Sequence, residues 1–127
     1  ATSPLRTVND IVGAVKLIEN KQVSNVITGA QARRSPYFNL VELNGKGFVR
    51  ISKPLEDEII RRQDSPKCYD CNASIYVWQR EALFSTKSVL VNDTMLYEMP
   101  QERSIDIDVE FDFEMVEFLM SKRENHL

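Results

Sequence analysis

The chain has 127 residues, of which 43% are hydrophobic and 28% are charged, and its formal net charge is −3. This size and composition predict one globular domain, or part of a larger one, with its own core. The acidic balance excludes a broad basic surface for nucleic acid or an anionic membrane, and no apolar run approaches the roughly 20 residues of a membrane span.

The first predicted elements are a capped helix and a buried strand. Thr7 precedes an apolar series with the 3.6-residue period, and Asp10 stands at the third position as in a capping box. We therefore predict a helix from about Val8 to Asn20. The apolar run from Val23 to Thr28 predicts a short buried strand, which Gly29 and the polar segment after it would end.

A hairpin and a short helix are predicted next. Tyr37 to Leu43 and Phe48 to Ile51 flank an Asn-Gly-Lys-Gly turn, whose residues accept positive φ. A β-hairpin is therefore expected. Pro54 to Gln63 has a few apolar residues among charges, which indicates a short helix on the surface.

The following segments predict short elements of both kinds. Ala73 to Trp78 is a compact apolar strand, and Gln79 to Phe84 is a helical turn. Val89 to Val91 and Met95 to Glu98 are two further extended pieces. Strands thus alternate with helices, as in an α/β fold.

The segment from Glu102 to Asp108 alternates acidic and apolar residues. In a strand, Asp106 and Asp108 would share one face, where two carboxylates repel each other unless a cation such as Mg²⁺ lies between them. A half-solvated strand has the same pattern, so this segment alone leaves both interpretations open. We predict that the strand ends near Asp108, which would cap a helix from about Val109 to Lys122.

The two cysteines, Cys68 and Cys71, form a Cys-x-x-Cys pair. A structural zinc site needs four ligands, and the only histidine, His126, lies close to the end of the sequence. A redox motif would precede a helix, whereas a strand is predicted to follow here. We expect reduced thiols in a cytoplasmic protein, with a small metal or redox domain as an alternative.

Three segments together give the chain a resemblance to a known family. They are Thr2 to Thr7 followed by Asp10-Ile11, then Arg61 to Lys67 leading into Asn72 to Tyr76, then Glu102 to Asp108. In this order and spacing the chain resembles the acylneuraminate cytidylyltransferases, the CMP-sialic acid and CMP-nonulosonate synthetases. The resemblance covers essentially the whole chain and is to the C-terminal half of such enzymes.

The resemblance implies an α/β fold that is the C-terminal part of a Rossmann-like nucleotidyltransferase. The whole chain, residues 1–127, would belong to that one domain, with a protruding β-hairpin dimerisation segment at about residues 31–66. The implied reaction joins a nonulosonic acid to CMP from CTP, with Mg²⁺ as cofactor and pyrophosphate as product. The implied assembly is a homodimer.

The resemblance also assigns the catalytic residues. It implies that Asp106 and Asp108 bind the metal, where a cation would act as template and Lewis acid. Arg62 matches an arginine that projects from the dimerisation segment toward the neighbouring subunit's active site, with Arg61 and Gln63 as companions that bind substrate. Without the resemblance, Arg62 would be interpreted as a surface salt bridge.

The implied sugar pocket includes Asn72 and Tyr76, whose ordinary interpretation would be a turn asparagine and a strand tyrosine. Thr2 and Ser3 match the tip of a strand that faces substrate, although helix-entry residues look the same. The family usually has glycine after the asparagine, whereas this chain has Ala73. The backbone beside Asn72 is therefore expected to differ.

The family's Gly-rich, basic nucleotide-binding loop has no counterpart in this sequence. We therefore expect the chain to be a fragment that lacks the N-terminal nucleotide-binding part and binds CTP poorly by itself. A non-catalytic assembly module, in which the hairpin serves only dimerisation, is the alternative from another class of function.

Overall fold

The computed structural model describes residues 2–55 and 64–124. The chain divides into two compact units, residues 1–30 with 71–127 and residues 31–70. The described helices are α1 (Val8–Lys21), α2 (Arg80–Ser85) and α3 (Glu110–Glu124), and the described strands are β1 (Asn25–Gln31), β2 (Val41–Leu43), β3 (Val49–Ile51), β4 (Tyr69–Trp78) and β5 (Met95–Glu98). The protein is therefore of the mixed α/β class, as predicted.

Helix α1 begins at the predicted capping box. Asp10 N donates to Thr7 Oγ1, and Thr7 N donates to Asp10 Oδ2 at 2.8 Å, so each residue satisfies a backbone donor of the other. The helix ends at Gln22, whose φ of 55° lies in the left-handed region and whose N–H donates to the Ile18 carbonyl. Both ends of the predicted helix are correct to within about a residue.

The sheet of the first unit has the strand order β4-β1-β5. Strands β1 and β5 are parallel, with Val26 opposite Met95 and Gly29 opposite Glu98. Strand β4 runs the other way, because Gln79 N donates to the Ser24 carbonyl while Ile75 N donates to the Thr28 hydroxyl. The central strand β1 is buried on both faces over six residues and continues through Gly29, where the sequence pattern predicted a break.

The core lies where α1 packs against this sheet. Its buried members are apolar and come from α1, β1, β4 and the residue that follows β5: Ala14, Ile18, Val26, Ile75 and Met99. Gly13 permits the close approach of α1 to β5, since a Cβ at this position would overlap the Tyr97 ring. A helix seated on a parallel strand pair is the usual arrangement of α/β proteins.

The predicted hairpin is present in the second unit. Strands β2 and β3 are antiparallel, with Glu42 opposite Arg50, and Asn44 Oδ1 accepts hydrogen bonds from the N–H groups of Lys46 and Phe48. Gly47 has φ 82°, as the turn requires. The strands are shorter than predicted, and the predicted helix from Pro54 to Gln63 extends into residues 56–63, which lie outside the described ranges.

Two predicted strands are absent from the described chain. Residues 89–91 form no strand, and residues 104–107 are a loop that follows a single 3-10 turn at Gln101–Arg103. The prediction that Asp106 and Asp108 share one strand face is therefore wrong. Alternation alone does not create a strand, because a strand also needs a backbone partner along its length.

Helix α3 begins without the predicted cap. The Asp112 side chain, three residues into the helix, accepts from the N–H groups of Asp108 and Val109. Asp108 is therefore not the cap, and the Asp112 carboxylate reaches back to the preceding backbone, as the third helical residue of a capping box does. No described helix combines the length and the hydropathy that a membrane crossing would need.

Candidate functional site

Segments that carry the sequence motifs meet in the first unit. They are the loop of residues 2–7 before α1, residues 72–76 of β4 and the loop of residues 102–108 before α3. Hydrogen bonds made by side chains connect all three segments, although they lie up to about a hundred residues apart.

Ser3 lies at the point where the segments meet, and its side chain is buried. Its hydroxyl is 3.2 Å from the Asn72 carbonyl oxygen and 3.3 Å from Asp106 Oδ1. The adjacent Thr2 carbonyl accepts from Ile107 N at 2.9 Å. The residues predicted at the strand tip therefore contact the loop that carries the predicted metal-binding pair.

Asn72 is buried and uses both ends of its amide within the protein. Its Oδ1 accepts from the Thr28 hydroxyl at 2.7 Å and from Ser74 N at 3.1 Å. Its Nδ2 donates to the Ser104 hydroxyl at 3.0 Å and contacts Met99 Sδ. Asn72 thus joins β1, β4 and the loop after β5, and its buried hydrogen bonds hold these segments together.

The backbone beside Asn72 takes an unusual conformation. Ala73 has φ 49°, in the left-handed region that favours glycine. The buried residues Asn72 and Ile75 are three positions apart, whereas strict strand alternation would place buried residues two apart. This extra residue is typical of a bulge that redirects a side chain. Glycine would adopt this conformation at no steric cost, whereas this chain has alanine there.

An ion pair between α1 and the loop of residues 102–108 also holds this loop in place. Arg103 donates from Nε and Nη2 to the two carboxylate oxygens of Asp10, at 2.9 and 2.8 Å. Asp10 is 1% exposed, and the hydrogen bond from Arg103 is the main cause that lowers its pKa to about 2. Because Arg103 directly precedes Ser104, the pair fixes the start of the loop that carries Asp106. The local pattern indicated Asp10 only as a cap, and no local pattern pairs it with Arg103.

Two further arginines hold the loop before α1. Arg6 Nη1 donates to the Ser74 carbonyl at 3.1 Å and lies 3.4 Å from the Ser3 carbonyl. Arg123 Nη2, near the end of α3, donates to the Leu5 carbonyl at 2.7 Å. Guanidinium groups thus connect this loop to both β4 and α3.

Asp106 and Asp108 differ in their surroundings. Asp106 is half-buried beside Ser3, whereas Asp108 is exposed and borders an open depression of about 440 Å³ with Phe113 on its wall. Carboxylate oxygens suit Mg²⁺, which commonly uses one or two carboxylates and completes its shell with water and phosphate. The described residues contain no group of three or more His, Cys, Asp or Glu side chains placed to hold a metal. Asp106 and Asp108 match the one or two carboxylates that a Mg²⁺ site commonly takes from a protein.

The remaining predicted residues are less closely connected. Tyr76 follows the buried Ile75 on β4 and is 47% exposed. Arg61, Arg62 and Gln63 lie outside the described residues. Both cysteines are free thiols, with Cys71 exposed.

Comparison with known proteins gives close relatives. The chain is 41% identical over 124 residues to post-translational flagellin modification protein B of Campylobacter coli. The matched region is 97% of this chain and 51% of that protein. It is 46% identical over 96 residues to CMP-N,N'-diacetyllegionaminic acid synthase of Campylobacter jejuni subsp. jejuni serotype O:2. This matched region is 76% of the present chain and 40% of that protein. No family model matches the chain.

The similarity to the flagellin modification protein extends over nearly the whole chain. These relatives confirm the resemblance to the CMP-nonulosonate synthetases, and the chain spans about half the length of the curated relatives it matches.

Proposed function

We propose that the chain forms part of a cytidylyltransferase that joins a nonulosonic acid to CMP from CTP and releases pyrophosphate. The observation that carries this proposal is the meeting of Ser3, Asn72 and Asp106 at one place, through contacts of 3.2 and 3.3 Å from the Ser3 hydroxyl. Groups from separate parts of the chain are thereby held close together, which is what positioning of two substrates requires.

Asp106 and Asp108 are the proposed ligands of Mg²⁺. When bound, the ion supplies positive charge to the phosphate oxygens during transfer. The chain's own contribution is orientation: the Ser3 hydroxyl contacts Asp106 Oδ1, and the Asp10–Arg103 pair holds the start of the same loop. A carboxylate fixed in this way loses less conformational freedom when it binds a cation.

Thr2 and Tyr76 are the proposed contacts to the sugar, and the buried Ser3 is proposed to position Asp106 beside them. The exposed Tyr76 ring offers an apolar face and a hydroxyl, which suit a substituted sugar. Asn72 is proposed to hold the backbone of this region, because its amide is already bonded within the protein.

Arg62, with Arg61 and Gln63, is proposed to reach the active site of the neighbouring subunit in a homodimer. The hairpin supports a role in assembly, since Leu43, Phe48 and Val49 are each more than 60% exposed. The same exposure favours the second candidate function, a non-catalytic assembly module.

The proposed enzyme is longer than this chain. The curated relatives are about twice as long, and both α1 and α3 expose large apolar side chains, such as Val8 at 74% and Phe111 at 64%. We propose that these surfaces are covered in the whole protein, and that its N-terminal half supplies the nucleotide-binding loop to this C-terminal half. A cytoplasmic location completes this proposal, because CTP is a cytoplasmic substrate.

The test is a CTP-dependent pyrophosphate-release assay on the whole protein with a panel of nonulosonic acids. The name of one relative makes N,N'-diacetyllegionaminic acid the first sugar to try. Asp106→Asn and Asp108→Asn are expected to lower turnover at least a hundredfold and to raise the Mg²⁺ requirement. The control is Asp70→Asn, which removes an exposed carboxylate elsewhere.

Unchanged turnover in folded Asp106→Asn and Asp108→Asn variants would remove the metal role. No release of pyrophosphate with any nonulosonic acid, together with dimers that dissociate when hairpin residues are changed, would favour the assembly module.

A further inference from the structure

A cavity of about 410 Å³ lies within the second unit. Two segments form it, one after β1 and one before β4, and a hydrogen bond from Ala32 N to the Cys68 carbonyl at 2.9 Å joins them. Its volume is in the range of small-molecule sites. Its lining includes Arg33, Arg34, Ser35, Asn39, Lys67 and Cys68.

The described lining of this cavity is positively charged. Arg33, Arg34 and Lys67 contribute three cations, and no described lining residue is acidic. Asp64 precedes the lining segment without being part of it. The ion pairs found between described residues involve Arg50 and Arg103, so none of the three cations has such a carboxylate partner.

Cations that have no carboxylate partner among the described residues repel each other around one cavity, and an anion relieves this repulsion. The surrounding turn is also ordered. The Ser35 carbonyl accepts from the N–H groups of Phe38, Asn39 and Leu40, and Ser35 N donates to Asn39 Oδ1 at 2.6 Å. The backbone of Arg33 and Arg34 lies between the end of β1 and a hydrogen-bonded turn. This order reduces the conformational entropy that the segment loses when it binds a ligand.

We propose that this cavity binds an oligophosphate group, such as pyrophosphate. Two guanidinium groups match phosphate oxygens through paired N–H donors, and the Lys67 ammonium adds a third charge. A multiply charged anion neutralises all three cations, whereas a monocarboxylate neutralises one. The proposal does not depend on the reaction proposed above.

The experiment titrates the protein with inorganic pyrophosphate by calorimetry in the presence of EDTA, which removes Mg²⁺ and separates this site from Asp106 and Asp108. We expect one binding event per chain that weakens as salt is raised. Arg33→Ala, Arg34→Ala and Lys67→Ala are each expected to raise the Kd by roughly tenfold. Lys46→Ala, which removes an exposed cation of the hairpin turn, is the matched control and is expected to leave it unchanged.

A second readout uses Cys68, which lines the cavity and is half-buried. In a Cys71→Ser background, pyrophosphate is expected to slow alkylation of Cys68 at least fivefold, and Arg34→Ala is expected to abolish this protection. Circular dichroism establishes that each variant is folded.

Three results would overturn the proposal. They are an unchanged Kd in the folded arginine and lysine variants, equal weakening by Lys46→Ala, and binding of a monocarboxylate such as acetate or a nonulosonic acid as tight as that of pyrophosphate.

Discussion

Asp10 and Arg103 lie 93 positions apart in the sequence and form a two-point ion pair, with contacts of 2.8 and 2.9 Å. Asp10 is 1% exposed and belongs to the first turn of α1, while the Arg103 side chain is 29% exposed and ends the 3-10 turn after β5. The same carboxylate also bonds to the backbone N–H and hydroxyl of Thr7. One side chain thus caps a helix and anchors the loop that carries Asp106.

Removal of Arg103 is expected to destabilise the protein. Arg103→Ala leaves the Asp10 carboxylate buried with two of its bonds lost, so we expect the free energy of unfolding to fall by about 3 kcal/mol. Arg50→Ala is the control, because its ion pair with Glu42 is exposed on both sides and is worth less than about 1 kcal/mol. Urea unfolding at pH 7 measures both. Equal losses in the two variants would contradict the structural role of the Asp10–Arg103 pair.

The same pair predicts a pH dependence of stability. The pKa of Asp10 is lowered from its usual 3.8 to about 2, mainly by Arg103, so the unfolded chain binds a proton more readily than the folded one. The resulting stabilisation is present above about pH 4 and is lost as the pH falls toward 2. Its size is about 2 kcal/mol.

This loss is measured as the difference in unfolding free energy between the native chain and Asp10→Asn. The asparagine keeps an oxygen for Thr7 but cannot titrate. We expect the difference to shrink by about 2 kcal/mol between pH 6 and pH 2. A difference that stays constant over this range would show that Asp10 keeps an ordinary pKa.

The contrast between predicted and observed elements has a physical basis. Helix α1 was predicted nearly to the residue because Thr7 and Asp10 are three positions apart, so the signal that starts the helix is local. The hairpin was predicted for the same reason, since Asn44 organises its own turn. Local signals are read from a sequence because both partners lie within one window.

The candidate site was only partly predictable. The resemblance singled out Ser3, Asn72 and Asp106, but the contacts between them join distant segments that no periodicity specifies. The alternation around Asp106 predicted a strand, whereas the structure has a loop there, preceded by Arg103 with its ion pair to Asp10. The pairing of Asp10 with Arg103 has no local signature at all.

Glycine at position 73 is expected to stabilise the protein. Ala73 has φ 49°, a conformation that costs a residue with a Cβ roughly 1 kcal/mol, so Ala73→Gly should raise the free energy of unfolding by about that amount. Gln22→Gly, at φ 55° just after α1, is expected to raise the free energy of unfolding by a similar amount. Ala82→Gly in α2 should act in the opposite direction. Thermal unfolding compares the three, and a lower Tm for Ala73→Gly would contradict the left-handed assignment.

The approach of α1 to β5 depends on the missing side chain of Gly13. A methyl group there would overlap the Tyr97 ring, so Gly13→Ala is expected to cost about 2 kcal/mol of stability by overpacking. Gly45→Ala is the control, because a Cβ at that position meets nothing within 4 Å. Tyr97→Leu removes the ring, so Gly13→Ala should cost almost no stability when it is added to Tyr97→Leu. Chemical unfolding of the native chain, the two single variants and the double variant gives the coupling energy between the two positions. Additive losses would mean that α1 and β5 do not meet at these two residues.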